Sequence, residues 1–112
     1  MKYVLLAEDD PELADMLSEV IRDQLYVATQ VVANGALVPD AIAARRPDLL
    51  ILDVALPGLS GVDVFELVRA DERWQGVPVL FLTASPERAP ADVASARVIA
   101  KPFDIAELVA RV

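Results

Sequence analysis

Five short apolar runs punctuate the chain: Tyr3 to Ala7, Val27 to Val32, Leu49 to Leu52, Val77 to Leu82, and Val98 to Ala100. Their length and their wealth of Val, Leu and Ile predict five strands. Between them, apolar residues recur at the spacing of a helix that buries one face. The clearest stripe is Leu13, Met16, Leu17, Val20 and Ile21, and a second is Ile105, Leu108, Val109 and Val112. Asp10 before Pro11 reads as an N-cap followed by the first helical residue, and Asp104 is placed to cap the last helix. Pro39 falls in the first turn of a second helix. Val64, Phe65, Leu67 and Val68, after Gly61, supply a third, and the Ala-rich stretch Pro86 to Ser95 a weaker fourth.

Strand alternating with helix implies crossover connections and a mostly parallel sheet covered on both faces. The uninterrupted Leu49-Leu50-Ile51-Leu52 suits a strand buried on both sides, whereas the mixed Ala28-Thr29-Gln30 suits an edge. No internal repeat, linker or low-complexity stretch interrupts the pattern, and 112 residues fit one domain, 1–112.

Composition narrows the chemistry. The chain is 55% hydrophobic but only 5% aromatic, the filling of an aliphatic α/β core. Its net charge of −8, with no Lys/Arg cluster, argues against direct binding to nucleic acid or to an anionic membrane. The opening apolar run ends in acid and is too short for a signal peptide or a membrane span, so the expected location is cytoplasmic. With no cysteine there is no thiolate chemistry, and with no histidine there is no histidine catalysis, ligation or self-phosphorylation. Any site must use carboxylates, hydroxyls, lysine and backbone.

Such residues stand where the apolar runs end: Glu8 and Asp9 after the first, Asp53 after the third, Thr83 at the end of the fourth, Lys101 after the fifth. In an open α/β sheet ligands bind outside the carboxyl ends of the strands, so these side chains are expected to share one crevice. Three crowded acids repel unless a cation joins them, and an oxygen-only ligand set suits Mg²⁺ or Mn²⁺. Asp9 is assigned to the metal, with Glu8 assisting through water, because Asp10 is better explained as a helix cap. Asp53 ends the most apolar strand and is the candidate nucleophile for a phosphoryl group. Thr83 can donate a hydroxyl to that group, and Lys101 can pair with it as a point charge. Taken singly, Asp53 reads equally well as a loop acid, Thr83 as a β-branched strand residue and Lys101 as solvated surface. Their joint placement selects the chemical reading.

The chain resembles, over essentially its whole length, the receiver domains of two-component response regulators. The resemblance is carried by the acidic pair in Leu5-Leu6-Ala7-Glu8-Asp9-Asp10, by Pro47-Asp48-Leu49-Leu50-Ile51-Leu52-Asp53, by the loop Leu56-Pro57-Gly58-Leu59-Ser60-Gly61, by Val79-Leu80-Phe81-Leu82-Thr83-Ala84, and by Lys101-Pro102-Phe103. It implies a flavodoxin-like (βα)5, doubly wound parallel sheet in the order 2-1-3-4-5. It also implies a phosphorylation-dependent signalling switch in which Asp53 accepts a phosphoryl group from the phosphohistidine of a histidine kinase or phosphotransfer protein. The metal would be held by Asp9, Asp53 and the backbone carbonyl of Ala55. Lys101 to Pro102 would be a cis bond. A downstream protein and a homodimer linked to phosphorylation complete the implied partners. Transfer would be self-catalysed, with autodephosphorylation and no separate substrate, so the chain is not read as an enzyme.

Two departures from the family pattern stand out. Val98 occupies the position of the usual switch aromatic, and the stretch from Thr83 to Lys101 is short for a fourth helix. They direct the expected signal to loop ordering and the Thr83 hydroxyl. The principal alternative is a pseudo-receiver, a phosphorylation-independent protein-binding module. An aspartate-nucleophile phosphatase is disfavoured by Ala55, where such enzymes place a second acid, and a nucleotide binder by the absence of glycine-rich phosphate motifs.

Overall fold

A computed structural model describes residues 2–90, 97–101, 106 and 110. Five strands form one parallel sheet: β1 (Tyr3–Ala7), β2 (Ala28–Val32), β3 (Leu49–Leu52), β4 (Val79–Thr83) and β5 (Val98–Ala100). Their order is β2-β1-β3-β4-β5, as the resemblance implied, with β2 on an edge. Three helices, α1 (Pro11–Leu25), α2 (Val38–Ala44) and α3 (Gly61–Ala70), connect the first four strands.

Period-two alternation of the strands divides the core into two layers. Val4, Leu6, Ile51, Leu80, Leu82 and Ile99 face α1, where Ala14, Leu17 and Ile21 meet them. Tyr3, Leu5, Leu50, Leu52, Val79 and Phe81 face α2 and α3, which contribute Val38, Ile42, Val64 and Val68. Each fully buried Val, Leu or Ile contributes about 1.5–3 kcal/mol, so both faces must be covered for the sheet to persist. The central strands β1 and β4 are buried at every position.

Local signals set the helix boundaries. The Asp10 carboxylate accepts from the backbone N–H groups of Glu12 and Leu13, and Pro11 opens α1. At the other end Tyr26 takes the left-handed conformation, φ 53°, and its N–H donates to Arg22 O. That residue delays β2, which begins at Ala28 rather than Val27. The Ser60 hydroxyl accepts from Asp63 N–H and caps α3, a signal the apolar pattern did not reveal.

The expected fourth helix is reduced, among the described residues, to one 3-10 turn at Pro86–Arg88. Ala89 N–H still donates to Pro86 O at 3.2 Å, but Pro90 has no N–H with which to continue. Residues 91–96, the Lys101–Pro102 peptide and most of the predicted last helix lie outside the described residues; Ala106 and Ala110 are helical.

Candidate functional site

The acidic residues meet at the carboxyl end of the sheet because β1 and β3 are neighbours in register, with Ala7 opposite Leu52. Asp53 N–H donates to Ala7 O at 3.2 Å, which places the first residue after β3 beside the first after β1. Glu8 is anchored in turn by its N–H to Val32 O on the other neighbour of β1, at 3.1 Å. Glu8 and Asp53 are buried, Asp9 is exposed, and one carboxylate oxygen of each lies within 4.8 Å of the others.

Lys101 closes the cluster. Its Nζ donates to Asp53 Oδ2 at 2.8 Å and also to Glu8 Oε1. The remaining oxygens are not idle. Glu8 Oε2 accepts from Asp9 N–H at 2.9 Å and from Asp10 N–H at 3.5 Å, and Asp53 Oδ1 accepts from Ala55 N–H at 3.1 Å. No fully buried side-chain nitrogen or oxygen lacks a partner among the described residues.

Thr83 is fully buried at the end of β4, and its carbonyl accepts from Lys101 N–H at 2.8 Å. Its Oγ1 accepts from Ser85 N–H at 3.0 Å, so the hydroxyl holds the turn that follows β4. Val98 stands beside Phe81 in the β4–β5 register and packs into the core layer shared with α2 and α3. Gly61 accounts for the tight passage from Asp53 into α3. A Cβ there would meet Asp53 O at 2.1 Å and Val54 Cα at 2.8 Å, and its N–H bonds Val54 O at 2.8 Å.

The expected convergence therefore holds for Glu8, Asp9, Asp53 and Lys101, while Thr83 joins them through the main chain of Lys101. What sequence reasoning missed is the mutual pairing of Lys101 with Glu8 and Asp53. A single lysine among three acids was the available signal.

Burial pushes the Glu8 carboxyl above its ordinary range. The Lys101 bond pulls it down and the nearby Asp53 charge and Asp9 push it up, leaving a net rise. Burial disfavours the Lys101 ammonium, but its bonds to Asp53 and Glu8 outweigh that cost and raise its pKa. An acid whose pKa is higher folded than unfolded favours folding when protonated, and that contribution disappears as pH rises through the folded value. Metal-free Glu8→Gln is therefore expected to be more stable than wild type at neutral pH and to lose that advantage below the ordinary glutamate range. Urea unfolding at the two pH values reads this, and equal advantage at both would contradict it.

The donor set fits a hard divalent cation. It offers oxygen only, two carboxylates beside one exposed carboxylate, with the third side chain reachable from solvent. The buried pair is already neutralised in part by an ammonium, the kind of charge such an ion would supply.

Sheet order and helix placement are those of a receiver domain. The chain belongs to the response regulator receiver domain family of two-component signalling, which it matches over residues 4–112. Among its relatives is the DNA-binding response regulator MtrA of Mycolicibacterium smegmatis, 39% identical over 113 residues, covering 97% of this chain and 48% of that protein. The chain thus spans about half the length of the curated relatives it matches. Among solved structures, the receiver domain of the sensor histidine kinase PA1611 from Pseudomonas aeruginosa PAO1 has a magnesium ion coordinated in its active-site cleft. It is 29% identical, with TM-score 0.84 over 96% of this chain and 90% of that one. The signal receiver domain of a signal transduction histidine kinase from Syntrophus aciditrophicus is 25% identical, with TM-score 0.87 over 98% and 86%. Among the described residues no helix is long and apolar enough to cross a membrane.

Proposed function

We propose that the chain is a phosphorylation-dependent switch whose acceptor is Asp53. The observation that carries this reading is the lysine bridge: one ammonium shared by two buried carboxylates that end different strands, with a third acid beside them. A magnesium ion would be held by Asp9, Asp53 and the Ala55 carbonyl, with Glu8 acting through water. When bound it would offset the negative charge of an incoming phosphoryl group.

The residues of the chain do the rest. An Asp53 oxygen forms the new O–P bond as the N–P bond of a phosphohistidine breaks, and the electron pair stays with the imidazole of the donor. Lys101 exchanges its carboxylate contacts for a phosphoryl oxygen, and Thr83 releases Ser85 N–H to offer its hydroxyl to another. The donor is a histidine kinase or phosphotransfer protein, the class with which receiver domains of this family work. Transfer is catalysed by the receiver itself, and the recipient of the signal is a further protein.

The rival is a module that binds whether or not it is phosphorylated. A cluster that Lys101 already neutralises in part is compatible with it, so the chemistry has to be tested directly. Incubation with acetyl phosphate and Mg²⁺ is expected to add one phosphoryl mass to the intact chain. An unchanged mass, with the protein folded, would favour the rival.

A further inference from the structure

α3 turns Val64 and Val68 into the core and leaves Asp63, Glu66, Leu67 and Ala70 exposed, at the spacing that aligns them on one outer face. Leu67 is 46% exposed, and Leu37, in the turn before the neighbouring α2, is 52% exposed. Leu59 joins the four α3 residues around a shallow groove of about 390 Å³. The groove is apolar at its floor and carries two carboxylates, and no lysine or arginine lines it. Arg69, the cation of α3, holds its guanidinium 5.2 Å from the Phe65 ring centre and lines an adjoining groove with Phe65 and Pro90.

We propose that this face of α3 docks a basic amphipathic helix of a partner protein. A leucine-like side chain enters between Leu59 and Leu67, and lysine or arginine one turn away meets Asp63 and Glu66. Charge decides between occupants. A neutral apolar surface would strip water from two carboxylates without replacing it, which is costly. A second copy pairing through the same face would set Asp63 and Glu66 against their own counterparts. An acidic segment meets both obstacles, together with a net charge of −8. Only a cationic amphipathic element satisfies the floor and the rim together.

This inference goes beyond the phosphorylation reading and does not need it, since nothing in the groove belongs to the acid–lysine cluster. The test uses the isotopically labelled whole chain and a synthetic helical peptide with leucine on one face and lysine on the others. Amide shifts are expected to cluster from Leu59 to Ala70. Leu67→Ser, a change at an exposed position, is expected to weaken binding about tenfold, the burial of one leucine side chain. Asp63→Asn with Glu66→Gln is expected to flatten the salt dependence. Asp53→Asn is expected to bind as wild type, so a failure of phosphoryl transfer cannot be mistaken for a failure of docking. The proposal is overturned if shifts map instead to α1, where Glu12, Asp15, Glu19 and Asp23 are exposed beside Met16. It is equally overturned if Leu67→Ser leaves the affinity unchanged or if no binding occurs.

Discussion

Asp53→Asn is expected to abolish phosphoryl incorporation while leaving the fold intact. The amide keeps the shape of the carboxylate, and its oxygen can still accept from Ala55 N–H as Asp53 Oδ1 does. Lys101 loses one charged partner and retains Glu8. On the proposed reading, what disappears is the anionic oxygen that would attack phosphorus, and with it the whole of the transfer. Intact mass after acetyl phosphate and Mg²⁺ reads the outcome. Wild-type labelling of a folded Asn variant would transfer the acceptor role elsewhere.

Lys101→Ala is expected to produce the largest loss of stability among changes at the site. The substitution leaves two buried carboxylates, Glu8 and Asp53, facing each other with no cation between them. Removing one partner of a buried ion pair costs about 3–5 kcal/mol, and the partial exposure of Lys101 places the expected loss at the lower end. A divalent ion supplies the same sign of charge to the same oxygens, so millimolar Mg²⁺ should recover much of the loss. Denaturant unfolding with and without Mg²⁺ separates the two contributions. A variant equally unstable in both would show that the carboxylates do not form an ion site.

Much of the architecture was legible because periodicity and burial are coupled. β1, β3 and β5 begin and end where their apolar runs do, since each run is bounded by a charged or turn-forming residue. β4 differs for a readable reason. Pro78 cannot donate to the sheet and contributes only its carbonyl, to Leu50 N–H, while Thr83 extends the strand because its carbonyl still receives Lys101 N–H. Among the described residues the stretch from Pro86 makes only a 3-10 turn, because Pro90 lacks the donor that the next helical bond would need.

The site was legible as a list of residues but not as a set of pairs. Topology brings strand ends together, so Glu8, Asp9, Asp53 and Lys101 could be assigned to one crevice from their positions alone. Which oxygen an ammonium chooses depends on distances that no spacing rule encodes, so the sequence places Lys101 in the crevice without indicating its bonds to Glu8 and Asp53. The capping role of Ser60 escaped for a similar reason: hydroxyls are common, and only the geometry at Asp63 N–H shows which one stops a helix end from fraying.

The bond from Lys101 N–H to Thr83 O has a mechanical corollary. Two residues far apart in sequence are riveted at the rim, so neither can travel toward a newly arrived ligand without towing the other or shearing that link. The main chains that carry the Thr83 hydroxyl and the Lys101 ammonium are therefore coupled at the rim, while each side chain keeps its own torsions.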